Sequence, residues 1–147
     1  RRARREDVAA IVALLADDPM GGAREQVSDP PGAGYLAAFE RIEAEPRMLL
    51  AVAEDTDGAV VGTLQLTFVP GLSNQGGTLA LVSAVRISGT RRGQGLGGRM
   101  MEWAMAEARR RGCGIIELLT HNSRVDAQRF YARLGFVPSH VGMRRAL

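Results

Sequence analysis

The chain has 147 residues, about the length of one domain, and 46% of them are apolar, enough to build a core and too many for a disordered chain. Its single cysteine, Cys113, excludes a disulfide framework within one chain, and with His121 and His140 it makes too small a donor set for a structural zinc site, so no metal is expected. All 19 basic residues are arginine, which leaves no lysine for a Schiff base or a Walker motif.

No apolar run approaches the ~18 residues needed to cross a bilayer, and no signal-peptide pattern opens the chain. The expected compartment is the reducing cytoplasm, with no membrane partner. Charge is unevenly distributed. Residues 1–60 carry 7 Arg and 12 acids, a net of −5, whereas residues 61–147 carry 12 Arg and 4 acids, a net of +8. The second part is suited to meet an anion, or simply presents a solvated arginine-rich surface.

Val8, Ile11, Val12 and Leu15 recur at helical spacing and predict an amphipathic helix over 6–16. Residues 18–34 are rich in Gly, Pro and Asp and predict an irregular connection. Tyr35, Phe39 and Ile42 mark a second helix that stops before Pro46. Two strand-like runs, 48–53 and 60–68, flank Asp57-Gly58, a hairpin signal. A turn-rich loop follows over 69–77, then a nearly all-apolar run over 79–87 that predicts a buried strand.

Residues 94–111 predict the longest helix, with Met100, Met101, Ala104 and Ala108 on its apolar face. A short strand over 115–119 comes next. Ser123-x-x-Asp126 resembles a capping box opening a helix with Phe130 and Tyr131 on its apolar stripe, closed by Gly135. The segment from Phe136 has room for two more short strands. The expected class is α+β: one mixed, mostly antiparallel sheet of six to seven strands, about four flanking helices, and a single domain over 1–147.

The strongest chemical signal is Ser88-Gly89-Thr90-Arg91-Arg92-Gly93-Gln94-Gly95-Leu96-Gly97-Gly98, between the buried strand and the long helix. Glycines allow a ligand to approach the backbone, and the free N–H groups and dipole of the following helix attract phosphate. Gly93-x-Gly95-x-x-Gly98 formally matches the dinucleotide fingerprint. The context does not: polar residues separate it from the strand, it lies late in the chain, and no repeated βαβ pattern is present.

At this point the sequence resembles the GNAT superfamily of N-acetyltransferases. Arg92-Gly93-Gln94-Gly95-Leu96-Gly97 matches their pyrophosphate loop, and Phe130-Tyr131-Ala132-Arg133-Leu134-Gly135-Phe136 matches their downstream aromatic-Tyr and Gly-Phe pattern. The element order is also similar. The resemblance implies acetyl-CoA as cosubstrate, its pyrophosphate held by Arg92, Gly93, Gln94, Gly95, Gly97 and Gly98. It implies that the main chain at Val85 and Ile87 pairs with the pantetheine arm, and that Tyr131 protonates the departing thiolate.

Two departures from the family pattern stand out. Ser83 lies where many relatives carry a glutamate that relays the amine's proton, and Arg124 replaces an asparagine at a cofactor contact. Arg124 is kept as a cofactor-binding candidate, and His121 is an alternative proton acceptor. The implied reaction is direct acetyl transfer to a primary amine on a small molecule; the alternative is a non-catalytic acyl-CoA or nucleotide-binding module. Asp17, Asp18, Glu25 and Asp29 would suit a cationic acceptor, or simply face water. Aromatic residues are scarce at 5%, so a nucleic-acid partner is not expected. Homodimerisation is left open.

Overall fold

The computed structural model describes residues 1–146. Four strands, β1 (Met48–Glu54), β2 (Val60–Pro70), β3 (Thr78–Ile87) and β4 (Cys113–Leu118), form one sheet in that order. β1–β2 and β2–β3 pair antiparallel, and β3–β4 pair parallel. Five helices accompany them: α1 (Val8–Ala16), α2 (Ala33–Ala44), a four-residue turn α3 (Ser73–Gly76), α4 (Leu96–Arg110) and α5 (Val125–Arg133). The parallel pair requires a crossover, and α4 supplies it.

Alternation along the strands divides the apolar side chains between two faces. Leu49 and Ala51 of β1 join Leu64, Leu66 and Phe68 of β2 in a core closed by Met100, Met101, Ala104 and Ala108 of α4. Val52 faces the other way, into a second core with Val8, Ile11 and Val12 of α1 and Phe39 of α2. β1 and β2 are therefore covered on both faces, whereas β4 has no fully buried residue. The apolar stripe read for α4 is the one buried, and Arg99, Glu102, Arg109 and Arg110 are exposed.

The sheet has four strands among the described residues, and the expected six to seven are not formed. At the N-terminus, Arg2 makes a single antiparallel bridge to Ala51, and Ala3 N–H donates to Leu50 O at 2.8 Å. At the other end, residues 137–146 contain no strand. Val137, Val141 and Met143 are exposed, so no buried face holds this segment in register. Asp126 does not complete a capping box. Ser123 Oγ bonds His121 Nδ1 at 2.8 Å instead, and α5 starts after Arg124.

Candidate active site

Two distortions open the sheet between β3 and β4. The parallel pairing runs from Thr78 to Val82 and stops there, so Ser83–Ile87 has no strand partner on the β4 side. On the β2 side the register slips: Thr63 faces Arg86 and Gln65 faces Ser83, leaving Ala84 and Val85 opposite Leu64 alone. This is a β-bulge, and it bends the strand. Ala84 sits at φ 52°, in the left-handed region, which costs a non-glycine residue about 1–3 kcal/mol and is concentrated at functional sites. Val85 and Ile87, the expected main-chain partners of the cosubstrate, lie on this open edge with their side chains packed against the α4 core.

The glycine-rich loop follows directly. Gly93 and Gly95 have φ of 76° and 75°, conformations that glycine takes freely. Among the described residues, none of the N–H groups from Gly93 to Gly98 donates to a backbone carbonyl. The loop and the start of α4 thus present a run of free donors at the positive end of a helix dipole. Gly97 has a different role: a Cβ there would lie 3.3 Å from Phe130 Cζ, so its absence lets α5 pack on α4. Nothing lies within 4 Å of a Cβ at Gly95 or Gly98, leaving that surface open to a ligand.

The loop's side chains hold the loop in place. Arg92 bonds Asp17 at 2.8 Å and Ile87 O at 3.2 Å, Arg91 bonds Asp55 at 2.8 Å, and Gln94 Nε2 donates to Thr90 O at 3.1 Å. Gly95→Val forces a β-branched side chain into a left-handed conformation at the open surface. It is expected to weaken acetyl-CoA binding about tenfold or more, measurable by calorimetric titration alongside a melting curve.

Beside the bulge lies a cleft of about 370 Å³, lined by Ser83–Arg86 of β3, by Leu118–His121 at the end of β4 and by Tyr131 of α5. Tyr131 stacks edge-on against Phe130 and Phe136, at centroid distances of 5.1 and 5.9 Å. Its hydroxyl makes no hydrogen bond among the described residues. Burial raises the Tyr131 pKa, partly countered by the charges of Arg86 and Arg124, so the phenol keeps its proton at neutral pH.

Asp18, in the irregular connection after α1, is buried at the cleft and binds two arginines from distant elements. Arg86 reaches its Oδ2 at 2.6 Å and Arg124 reaches its Oδ1. Burial alone would push this carboxyl up. Hydrogen bonds from Arg124 and the Met20 N–H, with the charge of Arg86, outweigh burial and hold it below the usual value. Asp18 is therefore an ionised, fully engaged carboxylate and no proton acceptor. Ser83 is exposed on the cleft wall. His121 also lines the cleft, and its Nδ1 accepts the Ser123 N–H at 3.2 Å, which places the neutral ring's proton on Nε2.

The expected residues thus fall in two groups. Gly93, Gln94, Gly95, Gly97 and Gly98 come together at the start of α4, with Arg92 beside them. Val85, Ile87 and Tyr131 border the open edge. Arg124 is bonded to Asp18 at the cleft, among residues other than the loop. Sequence reasoning missed Arg24, Arg86 and Arg144, which line the same cleft, and the role of Asp18 as the counter-ion of Arg86 and Arg124. One signal was available: Arg86 is the single charged residue in the apolar strand Thr78–Ile87, and a charge there needs a partner.

The family model described as the acetyltransferase (GNAT) family matches residues 7–136. Among solved structures, a chain from Bacillus halodurans described as a transcriptional regulator is 39% identical, covers 100% of this chain and 97% of its own, and superposes with a TM-score of 0.96. A chain from Clostridium acetobutylicum, described as a predicted acetyltransferase with acetyl-CoA, is 19% identical, covers 98% of this chain and 94% of its own, and shares the fold at a TM-score of 0.73. An aminoalkylphosphonate N-acetyltransferase from Salmonella typhimurium is 45% identical over 56 residues, which span 38% of this chain and 36% of that protein.

Proposed function

The chain belongs to the GNAT family of acetyltransferases, and from that premise we propose that it transfers the acetyl group of acetyl-CoA to a primary amine on a small molecule, by direct attack within a ternary complex. The observation that carries the reading is the juxtaposition of an open β3 edge, a loop of unpaired N–H groups and a tyrosine hydroxyl beside that edge. The Salmonella relative, which acts on a small amine by its name, supports the same class of acceptor.

The residues fit the cosubstrate in three places. The N–H groups of Gly93–Gly98 would take the pyrophosphate, assisted by the helix dipole. The main chain of Val85 and Ile87 would pair with the amide groups of the pantetheine arm, as an added strand pairs with an open edge. Acetyl-CoA supplies the activated acyl group and a thiolate leaving group. Tyr131, protonated and free of other partners, donates its proton to the sulfur as charge develops there. Cys113 is raised in pKa by burial and lies on β4, outside the residues lining the cleft, so no acyl-enzyme step is invoked.

Among the described residues lining the cleft, the only carboxylate is Asp18, which is bound to two arginines, and Ser83 stands on the wall, so deprotonation of the amine is left to solvent. The rate with a simple alkylamine of pKa about 10 should therefore keep rising with pH, since only the neutral amine attacks. Tyr131, with its raised pKa, imposes no alkaline fall below that value. A steady-state pH series checks this: a plateau already reached near pH ~7 would identify an internal base, with His121 the first candidate.

Ser83, together with the regulator description of the Bacillus relative, favours a second reading, a non-catalytic acyl-CoA binder. Thiol release in the presence of amines separates the two, because a binder takes up acetyl-CoA without releasing CoA.

A further inference from the structure

We propose that the cleft selects an amine that also carries an anionic tetrahedral group, a phosphonate or a phosphate monoester, and that Arg24, Arg86 and Arg144 form the site for that group. The assignment rests on the acetyl-transfer reading of the same cleft and names its acceptor class.

Charge is the first observation. Arg24, Arg86, Arg124 and Arg144 line the cleft against one carboxylate, Asp18, four positive charges against one negative. A cationic acceptor, as the acidic connection 17–29 could suggest, would meet this field unfavourably. Asp18 is already shared by Arg86 and Arg124, and Asp17 is paired with Arg92.

The second observation is unused donor capacity. Arg24 and Arg144 make no ion pair or side-chain hydrogen bond among the described residues, although both line the cleft. Arg86 commits Nη1 to Val85 O at 2.8 Å and Nη2 to Asp18 at 2.6 Å, while its Nε is buried with no partner. It is the only buried side-chain nitrogen or oxygen so placed among the described residues. Asp18 holds Arg86 and Arg124 at the cleft, as a counter-ion that positions the cluster without neutralising it.

The third observation separates this cluster from the cosubstrate's own phosphates. None of the loop residues 88–98 lines the cleft, whereas Ser83 and Tyr131 do. The arginines therefore stand with the residues around the transfer step. Planar guanidiniums bind phosphonate and phosphate oxygens in bidentate fashion, and a dianion gains most from a site of this charge.

The test compares amines under acetyl-CoA, read by thiol release: 2-aminoethylphosphonate, O-phosphoethanolamine, β-alanine, propylamine and cadaverine. The phosphonate or the phosphate ester should exceed propylamine in kcat/KM by about 100-fold, and the better of the two identifies the source of the dianion. In R24Q/R144Q that ratio should fall by about tenfold or more, chiefly through KM, and R24K/R144K should keep part of it. Propylamine, cadaverine or β-alanine as the best acceptor, or an unchanged ratio in the double variant, overturns the proposal. Calorimetric binding of propylphosphonate to the CoA-loaded protein decides the site independently of turnover. Binding that is lost in R24Q/R144Q supports it, and absent or equal binding in both proteins overturns it, even where acetyl transfer itself fails.

Discussion

Tyr131→Phe is expected to keep its fold and its affinity for acetyl-CoA while losing about 10²-fold in kcat, the lower range for removing a general acid. The hydroxyl makes no hydrogen bond among the described residues, so its removal leaves no partner unsatisfied. The ring remains between Phe130 and Phe136, and the packed volume hardly changes. What is lost is a donor at the point where negative charge develops on sulfur. A tyrosine that served packing alone would give the opposite pattern, a lower melting temperature with normal turnover. Turnover, CoA affinity and melting temperature measured on one sample separate the two.

Asp18→Ala is expected to have the largest effect on stability. The carboxylate is 2% exposed, while its partners Arg86 and Arg124 are 24% and 31% exposed. Breaking a fully buried pair costs about 3–5 kcal/mol; here the arginines can still reach water, which reduces the cost to ~2 kcal/mol. The corresponding fall in melting temperature is about 4–8 °C for a chain of this size. Because the folded pKa of Asp18 is depressed, its contribution is fully present above the ordinary carboxyl value of 3.8 and is lost as pH falls through the lower folded value. Melting curves of the two proteins should accordingly lie apart at neutral pH and converge in acid. A gap that persists unchanged into acid would assign the effect to packing rather than to charge.

Most of the elements were legible because their signals are local. The apolar stripe of α4, the alternation in β2 and the Asp-Gly turn between β1 and β2 each follow from residues within one element. The glycine loop was legible for the same reason, since Gly93 and Gly95 adopt the conformations their identity permits. The opening of the sheet was not legible. Val82-Ser83-Ala84-Val85 reads as a continuous strand, and the left-handed Ala84 arises from a register slip against Thr63–Gln65 that no local preference encodes. The arginine cluster was hidden because its members come from the 18–34 connection, from β3, from the turn before α5 and from the segment after it, and because Asp18 sits in a stretch that reads only as loop. The strands expected after Phe136 failed for the converse reason: their apolar residues suggest a pattern, but the face that would bury them is absent among the described residues.

The most direct test of acetyl transfer by this cleft is a stoichiometry. Protein, acetyl-CoA and an amine panel that includes 2-aminoethylphosphonate are incubated together, and released CoA thiol and N-acetylated amine are quantified in the same samples. Direct transfer requires that the two products appear one for one, that neither forms when the amine or the protein is omitted, and that both slow together in Tyr131→Phe. Thiol released without acetylated amine, or acetyl-CoA bound by the protein with no product from any amine, would contradict it.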